Sequence, residues 1–333
     1  MKLLFDEDMD PATGLARQGR LGEAAALLGR VLRGFFDRGP EPSPAPAPVG
    51  RAQFLEASFT GAAGTRPYKL YVPSRYRGQP APLIVMLHGC AQSPDDFAAG
   101  TGMNEAAEEH TCLVAYPEQT AAANSSRCWN WFNAGDQQRG LGEPSLIAGI
   151  TQQVMARYAI DPRRVYVAGL SAGGAAAAIM GARYPDLYAA IGVHSGLACG
   201  AAKDLSSAFT AMRQGGRPGA QRPRSIIPTI VFHGEQDSTV HPSNAQSVVA
   251  QAAGATRLEK RVLPGQAPGG HAYRRTLYMD ARGATVIEQW AIMDGGHAWS
   301  GGRPAGSFTD PRGPDATREM LRFFLEHPGA EAS

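Results

Sequence analysis

The fold is decided by the stretch Val165-Tyr166-Val167-Ala168-Gly169-Leu170-Ser171-Ala172-Gly173. Its apolar first half predicts a strand buried on both faces, and the small residues at 172–183 predict a helix. A serine on so sharp a strand-to-helix turn needs small neighbours, and Gly169 and Gly173 meet that need. The N–H groups at the start of the helix also favour an anion. The stretch therefore predicts an exposed, nucleophilic Ser171.

Strands alternate with helices on both sides of this turn. Short connections between such elements predict an α/β fold, with a mostly parallel central sheet and helices on both faces. The predicted strands are residues 68–72, 83–89, 112–117, 165–169, 189–193 and 229–234, with a hairpin formed by 272–279 and 285–293. The predicted helices are near residues 103–110, 145–158, 172–183 and 318–327.

The N-terminal part of the chain has a different pattern. In residues 1–38, apolar side chains from Leu21 to Phe35 recur at helical spacing between arginines, which predicts an amphipathic helical segment. Residues 39–50 place proline at every second position and predict a semi-rigid linker, so the main domain spans residues 51–330. One short helix is marginal in water. It is therefore expected to dock on its own domain, on a second copy, or on an apolar surface such as a polymer granule.

Composition excludes several classes of protein. The 333 residues are 43% hydrophobic and 19% charged, which is typical of a folded globular chain. A net charge of +2 offers no electrostatic reason for nucleic acid as the main partner. No run of ~18 apolar residues is present that could form a transmembrane segment. The start of the chain, Met1-Lys2-Leu3-Leu4-Phe5, runs into Asp6-Glu7-Asp8 and is too short for a signal peptide, so a cytoplasmic location is expected.

The cysteines do not suggest a metal site. There are four, and none has the close pairing that zinc ligands show. No metal is therefore expected, and one disulfide is compatible with so few cysteines.

A nucleophilic serine needs a histidine base and a carboxylate that orients the base. In α/β-hydrolases the acid and then the histidine follow the serine along the chain. Asp237 and His297 each lie just after a predicted strand and satisfy that order. Asp294, only three residues from the histidine, and Glu235 are the alternative acids. The alternative histidines are less well placed relative to the strands or precede the acid: His88, His194, His233, His271 and His327.

An oxyanion hole needs two backbone N–H donors near the attacked carbonyl. The N–H of Ala172, directly after the nucleophile, is the first candidate. The second is the N–H of Cys90, in the loop after the strand at 83–89, where Gly89 allows a close approach of the backbone. Packing of Cys90 in a turn is the alternative.

Five motifs in this order resemble one family. They are His88-Gly89-Cys90-Ala91-Gln92, Cys128-Trp129-Asn130-Trp131-Phe132, Gly169-Leu170-Ser171-Ala172-Gly173-Gly174, His233-Gly234-Glu235-Gln236-Asp237-Ser238-Thr239-Val240 and Gly296-His297-Ala298-Trp299-Ser300-Gly301-Gly302. From about residue 54 to 327 the chain resembles the polyhydroxybutyrate depolymerase family of esterases, α/β-hydrolases related to feruloyl and acetyl-xylan esterases.

The resemblance implies roles for individual residues. Ser171, Asp237 and His297 match the catalytic triad, and Cys90 with Ala172 match the oxyanion hole. The implied activity is hydrolysis of short-chain hydroxyalkanoate or related carboxylic esters, without metal or organic cofactor. Feruloyl or acetyl-xylan esters, peptides, and a non-catalytic role at a granule surface are the alternatives. Many members are secreted, so an extracellular location is the alternative to the cytoplasm.

Three tryptophans in these motifs are candidates for substrate binding. Trp299 shares the loop of His297 and is expected in the cleft, while for Trp129 and Trp131 packing in the core is an equal alternative.

Cys90 and Cys128 are expected to lie close together, bridged or not, and Cys112 to be a buried free thiol. Residues 203–224 are short and polar, which predicts an open site without a deep lid.

Overall fold

The computed structural model describes residues 50–219 and 226–330. The helical segment predicted at 1–38 and all of the predicted linker except Gly50 lie outside the described residues. Among the helices that are described, none combines the length and the apolar character needed to cross a membrane.

Ten strands of the described chain form one sheet, in the order β1-β2-β4-β3-β5-β6-β7-β10-β9-β8. The strands are β1 (Gln53–Gly61), β2 (Gly64–Val72), β3 (Ala81–Leu87), β4 (Leu113–Pro117), β5 (Ile160–Leu170), β6 (Ala190–His194), β7 (Thr229–Gly234), β8 (Glu259–Gln266), β9 (Ala272–Met279) and β10 (Thr285–Ile292). The six strands from β4 to β10 in this order run parallel, and antiparallel strands flank them at each end. The prediction of a mostly parallel central sheet is confirmed.

Helices cover both faces of the sheet. They are α1 (Pro94–Thr101), α2 (Met103–His110), α3 (Gly142–Arg157), α4 (Ala172–Arg183), α5 (Leu205–Gln214), α6 (Ser243–Ala253) and α7 (Ala316–Glu326). Buried side chains of α3 to α6 pack in one core, and those of α1, α2 and α7 pack in a second core on the other face. Strand β3 lies between the two cores and is buried at every residue, which explains its continuous apolar run.

Two strands of this sheet were not predicted from the sequence, and both lie at its ends. Among the described strands, β1 pairs with β2 alone, and alternate positions face water, so its hydrophobic pattern is weak. Strand β8 contains Pro264 and Gly265 and is largely exposed. Proline is tolerated there because an edge strand does not need every N–H for the ladder. Helices α1, α5 and α6 were also missed, and α5 matters for the site.

The sheet brings the predicted site residues to one edge. Parallel strands all end at the same side, and ligands of open α/β sheets bind outside their carboxyl ends. His88 follows β3, Ser171 follows β5, and Asp237 lies three residues after β7. His297 lies five residues after β10, the parallel neighbour of β7. Residues far apart in the sequence therefore meet above this edge.

Candidate active site

Ser171 lies at a strained turn between β5 and α4. Its φ of 58° is in the left-handed region, which costs a non-glycine residue about 1–3 kcal/mol. The neighbours must be glycine, because a Cβ at Gly173 would lie 2.0 Å from the Leu87 carbonyl oxygen. A Cβ at Gly169 would lie 2.3 Å from the carbonyl oxygen of Gly173. Glycine at both positions therefore allows the sharp turn, and Ser171, although only 9% exposed, lines the cleft.

A chain of two hydrogen bonds joins the predicted serine, histidine and acid. His297 Nε2 accepts from Ser171 Oγ at 2.9 Å, and His297 Nδ1 donates to Asp237 Oδ2 at 2.7 Å. The Asp237 side chain is fully buried, whereas 13% of the His297 side chain is exposed. This arrangement can remove a proton from the serine hydroxyl and can stabilise the imidazolium ion that results.

The environment of Asp237 holds it ionised. Its Oδ1 accepts hydrogen bonds from the backbone N–H groups of Thr239 at 2.9 Å and Val240 at 2.8 Å. Burial alone raises the pKa of Asp237, but hydrogen bonds from His233 and His297 outweigh burial and hold the pKa well below its ordinary value. The carboxylate is therefore negative at any pH at which the histidine could act as a base.

The alternative acids lie in other environments. Asp294 is exposed, and Glu235 forms an ion pair with Arg274 on the neighbouring strand β9. His271, one of the alternative bases, is bonded to Asp310 at 2.8 Å. The structure thus brings Asp237, and not these residues, to His297.

The two predicted oxyanion donors lie beside the serine. Cys90 and Ala172 both line the cleft that contains Ser171. Ala172 is the first residue of α4, where a backbone N–H has no acceptor within its own helix. The N–H of Cys90 has no hydrogen-bond acceptor in the described part of the chain. Both groups are available to a negatively charged oxygen.

A disulfide holds the Cys90 loop. Cys90 is bonded to Cys128, with 4.2 Å between their Cα atoms, so the expectation that they are close is confirmed. A second link follows directly, because the Ala91 N–H donates to the Ser126 carbonyl at 2.8 Å. Cys112 is a buried free thiol, as expected.

We expect the Cys128→Ser variant to have a kcat about tenfold lower than wild type, because the Cys90 N–H would lose its fixed position. Complete loss of an oxyanion donor costs ~10²–10³ in kcat, and loosening one costs less. The measurement is ester hydrolysis at saturating substrate. Cys112→Ser is the matched control, since that thiol is buried and unbridged. Full kcat in Cys128→Ser would show that the bridge does not hold the donor.

The cleft has a volume of about 310 Å³ and mostly apolar walls. Trp131 is among its lining residues, as expected if this side chain binds substrate. The other lining residues besides Ser171, Cys90 and Ala172 are Asn124, Ser126, Cys128, Phe132, Leu197, Leu205, Ala208, Phe209, Met212 and Val240.

The expectation that Trp299 lies in the cleft is wrong, and for Trp129 the structure agrees with the alternative of packing in the core. Both side chains are fully buried, and a side chain without exposed surface cannot touch a ligand in the cleft. Trp299 stacks on His194 with 5.0 Å between ring centroids and donates to Thr317. Trp129 donates its indole N–H to the His88 carbonyl oxygen at 3.0 Å. Both tryptophans thus pack in the core behind the loops that carry Cys90 and His297.

Residues 203–219, part of the segment that the sequence analysis treats as polar, also present apolar side chains to the cleft. Helix α5 directs Leu205, Ala208, Phe209 and Met212 to the cleft. These positions recur at three- and four-residue steps, a helical stripe that the sequence contains and that its flanking Gly, Arg and Pro residues obscured.

Together these observations define an α/β-hydrolase, with a serine at a strained strand-to-helix turn followed along the chain by its acid and histidine. The chain belongs to the Esterase PHB depolymerase family, whose model matches residues 66–260.

Named relatives agree with this family. The chain is 34% identical to poly(3-hydroxyalkanoate) depolymerase C of Paucimonas lemoignei over 254 residues, which are 70% of this chain and 59% of the relative. It is 30% identical to feruloyl esterase B of Neurospora crassa over 203 residues, 54% of this chain and 67% of the relative. The chain thus spans 59% of the depolymerase's length.

Solved structures support the fold. The acetyl xylan esterase from Aspergillus awamori matches with a TM-score of 0.61 at 21% identity, over 74% of this chain and 94% of that one. At this level of identity the similarity concerns the architecture of the sheet and helices.

Proposed function

We propose that the protein is a serine esterase that hydrolyses carboxylic esters through an acyl-enzyme. The observation that carries the proposal is the hydrogen-bonded chain Ser171–His297–Asp237, with distances of 2.9 and 2.7 Å, at a strained turn that opens into a cleft. Family membership and esterase relatives support the same chemistry.

Each residue has a defined part in the reaction. Ser171 Oγ attacks the ester carbonyl carbon while His297 Nε2 takes its proton, and the N–H groups of Cys90 and Ala172 stabilise the oxyanion. His297 then returns the proton to the leaving alkoxide, and the acyl group stays on Ser171. A water molecule, deprotonated by His297, attacks the acyl carbon and releases the acid and free Ser171.

Short-chain hydroxyalkanoate esters are the proposed substrates. The cleft of about 310 Å³ suits a short acyl unit, and its walls are mainly apolar. At its rim, Leu205 is 57% and Phe209 is 52% exposed, both on the same side of α5. These two side chains can contact further units of a polyester that continues outside the cleft. The name of the depolymerase relative supports this class of substrate.

A substrate panel tests the proposal. We expect hydroxybutyrate oligomers and p-nitrophenyl butyrate to be hydrolysed with higher kcat/KM than methyl ferulate or acetyl-xylan. A preference for ferulate or acetyl-xylan would assign the protein to those esterases instead. No turnover of any ester above the Ser171→Ala background would contradict the esterase proposal and favour a binding role.

We propose further that the protein works in an oxidising compartment, the second of the two locations considered from its sequence. The Cys90–Cys128 disulfide supports this location, because structural disulfides are rare in reducing cytoplasm. Acid quenching of the producing cells, followed by alkylation and mass mapping, measures the state of both cysteines. Two alkylated thiols would contradict the proposal.

A further inference from the structure

A buried carboxylate lies behind the oxyanion loop and has no part in the reaction described above. Glu143, near the start of α3, is only 6% exposed. Its Oε2 accepts from the Asn130 backbone N–H at 2.7 Å, and its Oε1 accepts from Asn130 Nδ2 at 2.7 Å and from Gln119 Nε2. Three N–H donors from two separate loop segments therefore converge on this one side chain.

Gln119 continues this network to the oxyanion loop. The backbone N–H of Gln119 donates to His88 Nε2 at 3.0 Å, and His88 Nδ1 donates to the Gly89 carbonyl at 2.7 Å. Burial lowers the pKa of His88 to about 4, so the ring is neutral and can both accept and donate in this way. Gly89 directly precedes Cys90, whose N–H is the oxyanion donor.

A second route joins the same partners. Asn130 follows Trp129, and the Trp129 indole N–H donates to the His88 carbonyl at 3.0 Å. Gln119 Nε2 also donates to the carbonyl of Cys128, the cysteine bonded to Cys90. Both loop segments that contact Glu143 are thus connected to His88, which lies two residues before the oxyanion donor.

We propose that Glu143 is a positioning residue for the oxyanion hole, acting through Gln119, Asn130 and His88 on the backbone N–H of Cys90. The inference rests on the proposed esterase function. It assigns to a residue outside the cleft a share of the stabilisation that the transition state receives.

Burial and the nearby Asp136 raise the pKa of Glu143, and the hydrogen bonds from Asn130 and Gln119 oppose this rise and favour a carboxylate. Each oxygen of Glu143 faces N–H donors, so both side-chain atoms must accept hydrogen bonds. A glutamine would direct its own NH₂ group at one of these donors, and a buried donor without an acceptor costs about 1–3 kcal/mol. The loop must then shift to relieve that contact, and the Cys90 N–H would move with it.

The test compares Glu143→Gln with Glu288→Gln. Glu288 is also buried, at 2% exposure, but it pairs with Arg275 and Arg322 near the other end of the sheet. We expect Glu143→Gln to lower kcat for p-nitrophenyl butyrate about 10–100-fold with KM within about twofold, because an oxyanion donor acts mainly in the transition state. Affinity for 1-butaneboronic acid, which forms a tetrahedral adduct with the serine, should fall in parallel. Glu288→Gln should lower the melting temperature and leave kcat and boronate affinity unchanged.

A lower melting temperature with wild-type kcat and boronate affinity in Glu143→Gln would overturn the proposal, because Glu143 would then serve packing alone. If Glu143→Gln does not fold, the Gln119→Met variant tests the positioning role instead. It removes the Nε2 bonds but keeps the backbone N–H that binds His88, and it also removes the buried Oε1, which lacks a partner in the described chain. A smaller loss of kcat supports the proposal, and full kcat overturns it.

Failure of this inference differs from failure of the esterase proposal. Wild type without Ser171-dependent turnover would contradict the function itself. An active wild type with an equally active Glu143→Gln variant would contradict only the positioning role.

Discussion

Replacing Ser171 with alanine is expected to lower kcat/KM for p-nitrophenyl butyrate by at least ~10³-fold. The serine oxygen forms the bond to the acyl group, and alanine has no atom that can replace it. Removal of one hydroxyl oxygen leaves the turn and its glycine contacts in place, so the melting temperature should remain close to that of wild type. Initial rates on purified protein and thermal unfolding measure both quantities.

His297→Ala should reduce kcat/KM by a comparable factor, and the double variant should be little worse than either single variant. The reason is that Ser171 and His297 act as one unit through their 2.9 Å hydrogen bond. Losses that multiply in the double variant would show that the two residues contribute independently. Retention of turnover in Ser171→Ala would remove Ser171 from the mechanism.

Asp237→Asn is expected to lower kcat by ~10³–10⁴ while the fold is retained. Asp237 Oδ1 accepts from two backbone N–H groups, so the oxygen of asparagine must take that position. Its NH₂ group then faces His297 Nδ1 and donates to it. Nδ1 can accept only when it has no proton, and the proton moves to Nε2. Nε2 can then no longer accept the proton of Ser171.

Asp294→Asn is the matched control, because Asp294 lies three residues before His297 but is exposed. It should keep nearly full kcat on the same ester. A large loss in Asp294→Asn with near-full activity in Asp237→Asn would reverse the assignment of the acid.

Some features followed from local sequence alone. The apolar run at 165–170 and the glycines around Ser171 specify a buried strand and a sharp turn, because their physical requirements are met by adjacent residues. The same holds for the apolar runs that became β3, β6 and β7. The positions of Ser171, Asp237 and His297 after three strands, in the order serine, acid, histidine, also favoured these residues over the alternatives, and the structure brings them together.

Other features depended on contacts between distant segments. Trp129 and Trp299 belong to motifs beside the site, but only packing against His88 and His194 shows that both face the core. Edge strand β8 acquires its conformation by pairing with β9, against its own proline and glycine.

The apolar rim of the cleft and the hydrogen bonds that support the oxyanion loop likewise depend on tertiary contacts. Leu205 and Phe209 became part of the cleft because α5 lies above the carboxyl edge of the sheet. Glu143 meets Gln119 and Asn130, which are 24 and 13 residues away in the chain. Side-chain direction and long-range hydrogen bonds are set by the packed fold, and the local hydrophobic pattern carries no information about them.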